Sequence, residues 1–174
     1  MLIRKTQQPS AYPENQIHDA HSTSTTDTYS CNYINHKYLT AMTSVELNIP
    51  NTTWVTIPLT KIRSQTNVPT SKLSIENGKV KIGTGINHVR VSGGVFFQGM
   101  SHETYVWADI RLNGKSQMLT IHSGSYYQSC IFPPRIFNVS AGDLIEISAN
   151  TSNASGVTTR AGANNTWLLV EILD

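Results

Sequence analysis

From Thr43 to the C-terminal residues the apolar positions fall largely on alternate residues, the two-residue period of strands half-buried in a sheet. Val45, Leu47 and Ile49 alternate with Glu46 and Asn48, and after Pro50-Asn51 the residues Val55, Ile57 and Leu59 alternate with Thr56 and Pro58. The sharpest local signal lies between Lys72 and Ile82. There Asn77-Gly78 supplies the positive φ angles of a two-residue turn joining Leu73/Ile75 to Val80/Ile82. Further strands are predicted over 88–98, 105–112, 117–122, 129–139, 144–149 and 166–173. In the second of these Val106, Ala108, Ile110 and Leu112 form the buried side, while Tyr105, Trp107, Asp109 and Arg111 point the other way. Asn113-Gly114 and 140–143 read as turns, and the Gly/Asn/Ser/Thr-rich stretch 151–165 as a loop.

About eight to ten strands with no helix between them lack the crossovers that parallel pairing needs, so they must pair antiparallel. The predicted class is all-β, an antiparallel jelly-roll sandwich. The last strand, 166–173, is apolar on nearly both faces and is predicted to be central, because such a strand left at an edge would aggregate.

The N-terminal region behaves differently. Pro9, Pro13 and the run 21–30, made mostly of Ser and Thr, leave apolar residues too sparse for a packed core. The chain therefore divides into an extended N-terminal attachment arm or linker, 1–42, and a β-jelly-roll head, 43–174. One short helix is expected over 31–39, with Ser30 as its cap and Tyr33, Ile34 and Tyr38 at helical spacing.

Composition narrows the function classes. Of 174 residues only 14% are charged, and the thirteen Lys and Arg are scattered over a net charge of +2, which leaves no electrostatic footprint for nucleic acid. No stretch approaches the roughly 20 apolar residues that span a bilayer, so no membrane insertion is expected. The polar start, without an apolar leader, predicts synthesis in a cytoplasm, and with it that Cys31 and Cys130 are free thiols.

Catalytic and metal chemistry find little support. The six histidines are dispersed with no HExxH spacing, so neither metal nor cofactor is expected. Glu103 and Asp109 fall on one predicted strand about 20 Å apart by strand rise, whereas a glycosidase needs its carboxyls roughly 5 to 9.5 Å apart. Both are read as solvent-facing charges. Asp143 is read as a turn residue bonding its own backbone rather than as a calcium ligand. The chain is expected to bind and assemble, not to catalyse.

The order of hairpin, Val89-Arg-Val-Ser92, a strand ending in Leu112-Asn-Gly114, then Phe137-Asn-Val-Ser-Ala-Gly-Asp-Leu-Ile-Glu-Ile147 and Trp167-Leu-Leu-Val-Glu-Ile172 resembles the complement globular-head and tumour-necrosis-factor-like jelly rolls. The resemblance covers roughly 71–174. It implies a tight homotrimer packed around a threefold axis, with ligands taken by loops and outer faces, and no enzymatic activity. On that reading Trp167, Leu169, Tyr105 and Trp107 are the trimer-interface candidates, with Tyr105 and Trp107 divided evenly between seam and outer surface. The family's aromatic positions are met only loosely, by Phe96, Phe97, Tyr126 and Tyr127.

Separately, the segment 17–30 (Ile17-His-Asp-Ala-His-Ser-Thr-Ser-Thr-Thr-Asp-Thr-Tyr-Ser30) resembles a lead-in found in tail, baseplate and fibre proteins of phages, often just before a β-rich head. Together the two resemblances imply a phage virion structural protein, made in the host cytoplasm and located in the virion. It would be a fibre or baseplate tip whose arm holds other virion proteins and whose head binds host cell-surface polysaccharide. The loops 99–103, 123–128 and 151–165 would carry the ligand, through His102, Glu103, Tyr126, Tyr127, Asn153 and Arg160. The alternative is a head or tail decoration protein that serves assembly alone. A cytokine-like ligand would call for a leader or anchor, and a depolymerase for clustered carboxylates.

Overall fold

Asn77 and Gly78 adopt φ angles of 50° and 75°, and Asn113 and Gly114 of 52° and 77°, so both predicted Asn-Gly turns form and each folds one strand back on the last. The computed structural model describes residues 37–124, 126–152, 156–162 and 164–174. Among these, the strands are β1 (Lys37–Met42), β2 (Leu47–Asn48), β3 (Val55–Ile57), β4 (Lys61–Thr66), β5 (Leu73–Glu76), β6 (Lys79–Ile82), β7 (His88–Gln98), β8 (Tyr105–Leu112), β9 (Lys115–Ser123), β10 (Tyr127–Asn138), β11 (Leu144–Thr151), β12 (Thr158–Thr159) and β13 (Trp167–Ile172).

They form two sheets. A seven-stranded sheet runs β2-β12-β7-β13-β1-β4, with β10 along the other side of β7; a six-stranded sheet runs β5-β6-β11-β8-β9, with β3 beside β11. The ladders between these strands are antiparallel. Leu39, Val91, Val95, Phe97, Phe132 and Leu168 face inward from the first sheet and meet Ile57, Leu73, Val106, Ile110, Ile145 and Ile147 from the second, all at most 1% exposed. The expected antiparallel jelly-roll sandwich is the architecture observed, and β13 is central, between β7 and β1.

Gly93 shows how closely β13 is drawn in. A Cβ there would lie 2.9 Å from the Trp167 carbonyl oxygen and 3.5 Å from the side chains of Ile110 and Leu168, so the central ladder has no room for one.

Several expectations need correction. Lys37–Met42 is a strand of the seven-stranded sheet, paired with β13 and β4, so residues 37–42, assigned above to the arm, belong to the β unit, and the C-terminal part of the expected 31–39 helix is extended. The cause is that Leu39 and Ala41 fill the core while their backbones complete the edge of β13, a contact with residues about 130 positions away that local spacing does not reveal. The rest of the predicted arm, and Cys31, lie outside the described residues. β4 was not expected, β12 lies inside the predicted 151–165 loop, and the first predicted strand shrinks to Leu47–Asn48.

Cys130 is a free thiol with no exposed surface, pushed up to about 12 by its burial in the core. The folded chain thus holds this proton more tightly than the unfolded chain, whose thiol titrates near 9.0. The resulting stabilisation is complete below that value and is lost as pH rises from there towards 12. The urea midpoint of Cys130→Ala should therefore fall less steeply across this window than that of the wild type.

Candidate functional site

Directly opposed residues of an antiparallel ladder share a face, so the registers define what each sheet shows outward. On the seven-stranded sheet, Gly94 is flanked by Ile131 on β10 and Trp167 on β13. A Cβ at Gly94 would stand 3.1 Å from both Ile131 Cδ1 and Trp167 Nε1, so the two large side chains lie across the glycine. Leu169 follows two residues along, opposite Ser92 and Thr40, and Ile136 sits opposite Arg90. Ile131 and Ile136 are 56% and 60% exposed. Arg90 Nε donates to Glu171 Oε2 at 2.7 Å and borders this apolar face with an ion pair.

The predicted binding loops converge at one end of the sandwich. Met100 N–H donates to the Tyr126 carbonyl at 3.4 Å, Gly124 N–H to Thr104 at 3.3 Å and Arg160 N–H to Phe96 at 2.9 Å. Gly99 has a φ of +80°, and a Cβ there would fall 2.0 Å from the Gly156 carbonyl oxygen, so glycine alone lets these two loops touch. Tyr126 and Tyr127 meet edge to face at 4.7 Å, Phe96 lies 5.8 Å from Tyr127, and the Arg160 guanidinium stands 5.7 Å from the Phe96 ring centre. His102 and Glu103 are exposed on the adjoining turn. Asn153 lies outside the described residues.

Tyr105 and Trp107 are elsewhere. They stack at 6.2 Å and 28° on the outward face of the six-stranded sheet, whereas Trp167 and Leu169 belong to the other sheet, so the four do not share one face. The sequence gives alternation within a strand but not which sheet the strand joins. Beside Trp107 opens a groove of about 410 Å³ with Trp54, Trp107 and Leu119 on its apolar side and Asn51, Asn150 and Ser152 on its polar side. A parallel bridge from Asn51 to Thr151, with Thr52 N–H donating to the Thr151 carbonyl at 2.9 Å, brings the segment carrying Trp54 to β11.

Asp109 corrects a further expectation, since it is 1% exposed rather than solvent-facing. It accepts from Arg111 Nε at 2.9 Å and Ser116 Oγ at 3.0 Å, and the Arg111 guanidinium in turn lies 4.5 Å from the centre of the Trp54 ring. Outward alternation is correct for Asp109, but its cover arrives from distant residues. Asp109→Ala would leave Arg111 without its buried partner and should lower stability by about 3 kcal/mol, read as a reduced urea midpoint. Asp143 is a turn residue as expected, accepting from Asn113 Nδ2 at 2.7 Å and from Ser140 N–H at 2.8 Å.

Sequence reading missed Trp54, Leu119, Asn150, Ile131 and Ile136 as surface features. The isoleucines carried a signal: Ile131 stands between inward-facing Cys130 and Phe132, so β10 is apolar on both faces there.

No protein-family model matches the chain, and no curated protein matches it. Solved structures do. A crystal structure of murine APRIL at pH 8.0 superposes with a TM-score of 0.61 at 14% identity, over 80% of this chain and 100% of that one. The Eiger TNF of S. frugiperda gives 0.55 at 11% identity, over 80% and 93%. At such identities the likeness is one of fold, and the fold of this chain is the tumour-necrosis-factor-like jelly roll.

Proposed function

We propose that the chain is a phage virion structural protein, a fibre or baseplate tip whose jelly-roll head trimerises and binds host cell-surface polysaccharide. One observation carries the reading: the outward face of the seven-stranded sheet presents Trp167, Leu169, Ile131 and Ile136 around a bare glycine, centred on its innermost strands. An apolar face of this kind favours association, because each large side chain transferred from water into a packed seam contributes about 2 kcal/mol. Sister copies are the partner implied by the resemblance to the complement-head and tumour-necrosis-factor-like rolls. The phage placement is supported by the lead-in 17–30, and the arm that contains it would hold the head to other virion proteins.

Binding is supported by the convergence of three loops carrying His102, Glu103, Tyr126, Tyr127 and Arg160 at one end of the sandwich. Aromatic faces with a neighbouring cation suit sugar rings bearing acidic groups. Three such ends on one trimer would multiply a weak single-site affinity. Fluorescently labelled protein should adsorb to bacterial cells that carry its receptor, and periodate oxidation of the cell-surface sugars should abolish adsorption. A trimer that adsorbs to no cell in a broad panel would replace this reading with the decoration role.

A further inference from the structure

We propose that the groove on the outward face of the six-stranded sheet is a sugar-binding subsite, in which a pyranose ring stacks on Trp54 and Trp107 and donates a hydroxyl hydrogen bond to Asn150. The inference rests on the glycan-binding reading above and adds to it a site away from the loop aromatics.

Three observations carry it. First, the aromatic surface is presented rather than packed away: Trp54 is 36% exposed, Tyr105 50%, and the flanking Leu119 and Ile121 53% and 52%. Trp107 stacks on Tyr105 with their planes 28° apart, so the two rings stand side by side on the outward face of β8. Such rings offer apolar faces to the axial C–H groups of a pyranose.

Second, the groove wall includes a residue whose buried acceptor the folded chain leaves unanswered. Asn150 is nine-tenths buried, lies directly opposite Trp107 on β11, lines the groove, and its Oδ1 has no hydrogen-bond partner. A buried acceptor left in that state is costly. A hydroxyl donor held against the Trp107 ring would satisfy it once the Asn150 amide turns towards the groove, whereas a purely apolar occupant would not. The groove volume of about 410 Å³ falls within the roughly 300–1,000 Å³ range of small-ligand sites.

Third, the apolar wall is held in place. Trp54 is fixed by the Arg111 guanidinium, Arg111 by Asp109, and Asp109 by Ser116, so a ring arriving at Trp54 meets a surface already ordered, which reduces the entropic cost of binding. The proposed seam is centred on the opposite sheet.

The test uses the full chain on a panel of oligosaccharides ending in glucose, galactose, rhamnose or N-acetylglucosamine. The best probe is then titrated calorimetrically and by tryptophan fluorescence against wild type, Trp54→Ala, Leu119→Arg, Asn150→Ala and Tyr126→Ala, with thermal melts as the folding check. Trp54→Ala and Asn150→Ala should each weaken binding by on the order of tenfold. Leu119→Arg, which obstructs the groove from an exposed position, should do the same without lowering the melting temperature. The wild-type titration should perturb tryptophan emission, and Trp54→Ala should diminish that change. Binding that survives in the three groove variants and is lost only in Tyr126→Ala would overturn the groove subsite and leave the glycan reading standing. A wild type that binds no member of the panel would overturn both.

Discussion

Trp167→Asp should turn the assembled protein into a folded monomer. Trp167 lies over Gly94 on the outward face of a central strand, only partly covered by its own chain, with Ile131 on the far side of the glycine. An aspartate there would place a charge at the centre of the proposed seam, where each copy would have to desolvate it without a partner, a penalty of several kcal/mol per site. The intrachain cost is smaller, because the inward neighbours Leu168 and Val170 are untouched. Ile131→Asp is the companion variant: that side chain is 56% exposed within the chain, so its loss barely disturbs the core, yet it faces the same seam. Both variants should elute and scatter as monomers while retaining the β-rich circular dichroism of the wild type. A Trp167→Asp or Ile131→Asp protein of unchanged mass would show that this face is not where copies meet.

Phe97→Ala should be the most damaging single truncation within the chain. Phe97 has no exposed surface and lies on β7, which pairs with β10 on one side and with β12 and β13 on the other, so no edge is free to relax into the space. Removing a buried phenyl ring from such a site destabilises by about 3–5 kcal/mol, the lost transfer term plus an unfilled cavity. Equilibrium urea unfolding, with the slope unchanged, would display it as a lower midpoint. A loss under about 1 kcal/mol would mean that the two sheets are less tightly joined than the packing implies.

What the sequence made legible was local. The β5–β6 hairpin follows from Asn77-Gly78, and β7 and β8 keep their predicted bounds because long alternating runs end at Gly99 and at Asn113-Gly114. The strands that escaped notice depend on distant partners. β1 brings only Leu39 and Ala41 to the core and is shaped by β13, while β4, Lys61–Thr66, has one apolar residue and owes its extension to β1. β12 is two threonines held between β2 and β7.

The candidate sites divide the same way. Aromatic content on β8 and around 126–127 was visible as composition along strands and loops. Assigning Tyr105 and Trp107 to one sheet and Trp167 to the other needed the sheet order, which no local pattern encodes. Asp109 is the clearest case. Its outward direction follows from alternation, yet its burial depends on Arg111, two positions on, and on the segment carrying Trp54, more than fifty positions away. Both outward faces now have distinct proposed roles, self-association on the seven-stranded sheet and sugar contact on the six-stranded one.

The central claim is that the apolar face built around Gly94 joins three copies of the chain. Sedimentation equilibrium of the wild-type protein, carried through serial dilution to nanomolar concentration, tests it most directly. The account predicts one species with three times the 19.2 kDa chain mass at every dilution; a species of 19.2 kDa at micromolar concentration would contradict it.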